Sequence, residues 1–343
     1  MRKILAALVA AGSLAAVSLS AQAPAKKWTP PRTADGHPDL QGVWANNSVT
    51  PLERPKEWTG KTSLTDAELE QLKQQIGQVL DKGGDAIFGS LVEAALANRK
   101  LTSYDPSTGN YNHFWLADRD IDSRTSLITD PADGVLPPMT AEGRQRRGLR
   151  GAAVRSAEPR EGGPAGTADS HEDRPLFERC ITSGSPRTGT GYNSYFQIVQ
   201  GRDSVAIVQE LIHDARIVPL DNRPHLPQNV RQWHGDSRGR WEGDTLVIET
   251  TNYASKAPRV QGASENVVLT ERYTRVEPDY LNWEITVNDP ATWVRPWTMM
   301  IRLKRGIGEV YEFACHEGNI SLPGILAGFR AQEKAEAARK GSK

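Results

Sequence analysis

The sequence predicts a mainly β protein: an antiparallel, barrel-like meander with a helical insertion and a C-terminal helix. Three observations predict it. Strand-like runs crowd the second half of the chain, at 192–200, 204–220, 245–252, 266–276, 281–288, 297–304 and 309–314. Short turn signals separate several of them, among them Gly201-Arg202-Asp203, Glu277-Pro278-Asp279 and Gly306-Ile307-Gly308. The nine Trp suit a β core or an aromatic-lined ligand pocket, because Trp is large and amphipathic.

The elements follow in chain order. Met1-Arg2-Lys3, an apolar stretch over 4–19 and the small residues Ser20-Ala21-Gln22-Ala23 read as a secretory signal, expected over 1–23. No lipobox cysteine follows, and no later segment is apolar enough to span a bilayer, so the expected product is soluble and periplasmic or secreted. Residues 24–149 read as an extended arm, a strand over 40–45 and a helical insertion. In the insertion, Thr65 and Glu68 form a capping box for a helix over 63–81, with Leu69, Leu72, Ile76 and Leu80 as its apolar stripe. A second helix is expected over 86–98, then a strand over 123–129 stopped by Asp130-Pro131-Ala132-Asp133-Gly134.

Residues 150–174 are Gly, Ala, Pro and charge, too polar to bury a core, and are expected as a flexible loop open to protease. The antiparallel β domain is expected over 175–320 and a terminal helix over 321–343, with Pro323 in its first turn. Between the strand runs, Ser237-Arg238-Gly239 and Glu242-Gly243-Asp244 bracket a tight hairpin. Asp236, Gly239 and Asp244 are read there as turn residues.

Composition narrows the function. Lys+Arg and Asp+Glu balance at 42 each, which argues against a nucleic-acid partner, since phosphates need a clustered positive surface. The two cysteines, Cys180 and Cys315, predict one disulfide in an exported chain. No His-Glu-x-x-His pair, Gly-x-Ser-x-Gly elbow or Gly-rich loop opening a helix occurs, so no metal and no cofactor are expected.

Strand alternation supplies the candidate site, because successive side chains face opposite sides. His213-Asp214-Ala215-Arg216 ends one apolar run, and Cys315-His316-Glu317 ends another. His213, Asp214, His316 and Glu317 are the candidate acid–base residues, since an imidazole oriented by a carboxylate exchanges protons near neutral pH. Arg216, Trp233, Trp241 and Glu284 are the candidate ligand contacts. The bland alternative places the same charges on the solvent face, where ion pairs contribute little.

Pro38-Asp39-Leu40-Gln41-Gly42-Val43-Trp44, Arg124-Thr125-Ser126-Leu127-Ile128, Ile212-His213-Asp214-Ala215-Arg216 and Cys315-His316-Glu317-Gly318-Asn319 resemble blocks of a family of exported bacterial proteins. That resemblance spans most of the chain and implies a shared fold, without an activity. Gly42-Val43-Trp44 and the meander also resemble lipocalin-like (calycin) barrels, in which this Trp closes one end. Calycin relatives include ligand carriers and a few cofactor-free hydratases or isomerases, so the resemblance implies a barrel and does not choose between them. The expected partner is a small, partly apolar molecule. The function is expected to be cofactor-free acid–base chemistry of the lyase, hydratase, isomerase or hydrolase kind. The alternatives are a carrier without turnover or a structural or adhesion protein. The sequence carries no signal for oligomeric state.

Overall fold

Period-2 alternation turns one face of each run apolar, and such faces must meet. The computed structural model describes residues 28–81, 91–97, 119–155, 168–190 and 192–341, so the secretory stretch lies outside the described residues. Among these, ten strands form one antiparallel sheet. They are β1 Gly42–Ala45, β2 Ile128–Asp130, β3 Tyr195–Gln200, β4 Ser204–Gln209, β5 Ala215–Pro219, β6 Asp236–Glu242, β7 Thr245–Thr251, β8 Val268–Glu277, β9 Tyr280–Asn288 and β10 Trp297–Arg305. The order is β5-β4-β3-β1-β10-β9-β8-β7-β6, with β2 beside β10. Two meanders, β3 to β5 and β6 to β10, are thus joined through β1. The sheet curls into a nearly closed nine-stranded barrel.

Leu281, Trp283, Ile285 and Val287 of β9 all point into the core, as do Trp297, Met299, Ile301 and Leu303 of β10. With Trp44, Phe196, Ile198 and Leu246 they fill the barrel interior, so the lumen is packed with side chains. Each such aliphatic or aromatic side chain stabilises by roughly 1.5–3 kcal/mol on burial. Trp44 is fully buried, and its Nε1 donates to the Leu40 carbonyl at 2.8 Å. The Arg305 guanidinium covers its ring at 4.8 Å.

The seam is where β5 meets β6 without a backbone ladder among the described residues. Gly239 explains the close approach: a Cβ there would lie 2.8 Å from Val218 Cγ1 and 2.7 Å from Leu220 Cδ2. The hairpin reading holds at Gly243 and Asp244, the turn between β6 and β7, and is corrected at Gly239, which lies within β6; the left-handed glycines are Gly235 and Gly243. Asp236 accepts from Arg238 Nη1, two residues on, at 2.6 Å and also bonds His225, while Asp244 reaches Arg32.

Other boundaries differ for physical reasons. The run at 204–220 breaks into β4 and β5 at a corner where Ile212 and His213 take left-handed φ of 62° and 48°. A β-branched residue resists that conformation, so local propensity argued for one straight strand. Residues 309–314 form no strand; the last strand ends at Arg305. Part of the supposed loop at 150–174 is helical, because α3 runs Ala141–Arg155. That helix docks through polar contacts, Arg146 donating to Thr292 Oγ1 at 2.6 Å and to the Ala291 carbonyl at 3.2 Å, so no apolar stripe marked it. Ala168 and Arg174 are buried, and Ser170 and Asp173 form a capping box. The stretch 156–167 lies outside the described residues.

The helical insertion places α1 over Asp66–Asp81 and α2 over Leu91–Leu96. Leu64, Leu72 and Ile76 bury against Leu91, Val92, Ala94 and Ala95 as a small separate core. Glu68 Oε2 accepts from Thr65 N and Thr65 Oγ1, each at 2.9 Å, and Glu68 pairs with Lys61. The bond to Lys61, then those to Thr65, lower the Glu68 pKa from 4.5 to about 2. The folded value lies below the unfolded one, so this stabilisation is fully present above about pH 4.5 and disappears as pH falls through about 2. Protection of the first-turn amides of α1, relative to their intrinsic exchange rates, should therefore fall across that window. In Glu68→Gln that protection should not change with acid. An acid dependence that survives the substitution would assign the effect elsewhere.

The C-terminal helix α4 runs Ser321–Gly341. Arg330 fastens it by donating to the Ala168 carbonyl at 2.8 Å, and the Arg174 guanidinium lies 5.8 Å from the Phe329 ring centre.

Candidate functional site

The corner before β5 aims Asp214 at a turn formed by residues 182–186. Asp214 Oδ2 accepts from Thr182 Oγ1 (2.8 Å), Ser183 N (3.0 Å), Ser183 Oγ (3.2 Å) and Gln209 Nε2 (3.2 Å). Its other oxygen lies 3.4 Å from His234 Nε2. One left-handed corner therefore places a buried carboxylate between a polar turn and an imidazole, at a cost of roughly 1–3 kcal/mol per strained residue.

Two residues on, alternation turns Arg216 into the barrel. Its guanidinium meets Glu271 of β8, with NH1 and NH2 both donating, the second at 2.9 Å. Glu271 Oε1 also accepts from Tyr273 OH at 2.8 Å and Trp283 Nε1 at 3.1 Å. Burial opposes the charge on Arg216, and the adjacent Glu271 carboxylate outweighs it, so the Arg216 pKa is raised. Burial, with Glu271 beside it, pushes the Tyr273 phenol well above its ordinary range. This is a buried polar knot spanning β5, β8 and β9, in which Glu271 takes four donors and Arg216 Nε has no hydrogen-bond partner among the described residues.

The concave site lies outside the lumen. The Cys180–Cys315 disulfide joins the segment before β3 to the segment after β10 across 135 residues. Over it opens a cleft of about 660 Å³ lined by Phe177, Tyr192, Phe313 and Ile325, with Asn193 and Asn319 and the carboxylates of Glu178 and Glu312 among its polar groups. The walls are fixed from behind. Arg187 donates to the Tyr192 and Asn193 carbonyls at 2.9 and 3.1 Å, and burial lowers its pKa to about 10. Asn319 Nδ2 donates to the Glu178 carbonyl at 2.9 Å, and Arg174 holds the Glu178 carboxylate at 2.8 and 3.0 Å. Burial raises the carboxyl pKa of Glu210.

The sequence candidates divide between these places. Asp214 sits at the polar turn and Arg216 in the interior knot. His213 is exposed at the corner, with Nδ1 3.2 Å from the Phe313 carbonyl, so it touches the back of the cleft wall. His316 and Glu317 are exposed on the segment that follows Cys315, and neither lines the cleft. Trp233 is half-exposed. Trp241 stacks on His37 at 4.7 Å, four residues along β6 from Ser237 and toward the other end of the barrel. Glu284 takes the outward face of β9, in register with Arg272 and Met300. Among the described residues, no group of three or more His, Cys, Asp or Glu is placed to hold a metal.

With this geometry in place, comparison with known proteins adds little. No protein-family model matches the chain, and no curated protein matches it. Among solved structures it is similar to a secretary abundant heat soluble (SAHS) protein from Ramazzottius varieornatus. The identity is 16%, over 33% of this chain and 70% of that one, at a TM-score of 0.23. A likeness of that size carries no argument.

Sequence reasoning missed Glu271 and the aromatic residues of the cleft. Glu271 had a signal: it shares a strand face with Leu269 and Tyr273, so an inward apolar face delivers it to the core. For the cleft, the expected Cys180–Cys315 disulfide joined the two walls, but nothing local marked Phe177, Tyr192 or Phe313 as lining it, because the walls lie more than a hundred residues apart in the sequence.

Proposed function

We propose that this chain is an exported small-molecule carrier whose ligand occupies the cleft over the Cys180–Cys315 disulfide. The observation that carries the reading is the cleft itself, about 660 Å³ with aromatic walls, two amides and two carboxylates. That mixture is the usual make-up of a small-ligand site, where apolar area supplies affinity and a few polar groups set orientation. The disulfide and Arg187 hold the walls before any ligand arrives, which lowers the ordering cost of binding. Export is supported by the N-terminal sequence pattern and by the disulfide.

Binding without turnover is favoured over acid–base catalysis by the fate of the candidate groups. Asp214 Oδ2 is occupied by four donors. His316 and Glu317 do not line the cleft. The Arg216–Glu271 knot is sealed in the core.

Native mass spectrometry of protein from the exported fraction should find a bound small molecule. Tyr192→Ala and Phe313→Ala should each weaken its binding by about tenfold, the loss expected for roughly 1.4 kcal/mol of contact. The exposed outward change Ile217→Ser should leave affinity unaltered. Loss on Trp241→Ala, with the cleft variants unaffected, would move the site to the other end of the barrel. Product formation abolished by Asp214→Asn or His316→Ala would replace the carrier with an enzyme.

A further inference from the structure

We propose that the cleft selects an apolar or aromatic molecule bearing one organic cation, an ammonium or quaternary ammonium group. The proposal rests on the cleft being the binding site and names the chemistry of its occupant.

Charge and ring placement carry it. Four aromatic residues line the cleft, Phe177, Tyr192, Tyr311 and Phe313, together with the carboxylates of Glu178 and Glu312. Among the described residues no Lys, Arg or His lines it. Glu178 is already neutralised, gripped by Arg174 through two bonds at 2.8 and 3.0 Å. Glu312 is exposed and makes no ion pair among the described residues, so it is the one uncompensated charge on the lining.

An anionic ligand would meet Glu312 and find no counter-charge. A neutral ligand would gain apolar area and bonds to the Asn193 and Asn319 amides, and would leave Glu312 unused. A cation gains area, the negative ring faces and Glu312 together. The ring share grows as the site desolvates. Glu312 is on the surface, so its share is small and is screened by salt. The two contributions are therefore separable.

The test uses the full-length exported protein and three matched probes in isothermal titration: a phenylalkyl trimethylammonium, its tert-butyl carbon isostere and a phenylalkyl carboxylate. The cation should bind about tenfold tighter than the isostere, with the carboxylate weakest. Glu312→Gln should remove only the salt-sensitive part of that preference. Phe313→Leu, which keeps an apolar side chain and loses the ring face, should weaken the cation more than the isostere. Equal affinity for cation and isostere, or tighter binding of the carboxylate, would overturn the ligand class and leave the cleft standing as a site. Failure of all three probes to bind would also overturn it. Whether the cleft itself stands is read independently, from retention of the native ligand in Tyr192→Ala.

Discussion

Glu271→Ala should destabilise the barrel by about 3–5 kcal/mol, the cost typical of removing one partner from a buried ion pair. The substitution leaves the Arg216 guanidinium inside the core with Thr250 Oγ1, at 3.4 Å, as its remaining side-chain partner. It also strips Tyr273 OH and Trp283 Nε1 of their acceptor. The effect should appear as a large fall in the urea midpoint with little change in slope. Arg216→Met combined with Glu271→Leu should recover most of the loss, because replacing both charges leaves no unpaired ion. The pair bridges β5 to β8 across the interior, beside the seam that has no backbone ladder. Amide exchange should therefore accelerate first in β5 and β6 of the single variant. A loss below about 1 kcal/mol would mean that water or a rearranged side chain compensates Arg216, and the knot would not be what holds the seam.

Breaking the disulfide should produce the second large effect. Closing a 135-residue loop removes about 5 kcal/mol of unfolded-state entropy in the chain-entropy model. Cys180→Ser with Cys315→Ser should lower stability toward that figure and weaken ligand binding, because both cysteines line the cleft. The two losses need not scale together. The Arg187 and Asn319 bonds still hold parts of the walls. Ligand affinity unchanged in a clearly destabilised variant would show that the cleft does not need its covalent tie. Peptide mapping of the non-reduced protein should recover the Cys180 and Cys315 peptides linked.

Much of the fold was legible because the decisive forces are local or periodic. Thr65 and Glu68 satisfy backbone groups three residues apart, so the start of α1 can be read from a tetrapeptide. The alternation of β9 names its buried face residue by residue. The corner at Ile212 and His213 was not legible, because the left-handed conformation opposes the local preference of Ile and is imposed by burial of Ile212 and by the bonds of Asp214. Helix α3 escaped for a related reason: its docking rests on Arg146 reaching a loop 146 residues away.

The site candidates show the same division. The two cysteines of an exported chain predicted a tie between the start of the β region and the His316 segment, and the structure forms that disulfide. His213 meets the Phe313 carbonyl, two residues before Cys315, while His316 and Glu317 are exposed. Glu284 shares its strand face with Asn282 and Thr286 and points outward, whereas Glu271 shares a face with Leu269 and Tyr273 and points inward, so alternation separates the two. What only the curl of the sheet supplies is the Arg216 guanidinium that meets Glu271 in the core. By itself the sequence determined the antiparallel β class, the capped helix and the disulfide pair, since each depends on chain periodicity, adjacent groups or an arithmetic of two. The tertiary structure alone decided the strand order through β1, the seam at Gly239, the Arg216–Glu271 knot and the cleft. Each of these is made by groups far apart in the chain, whose contact depends on how the whole sheet closes.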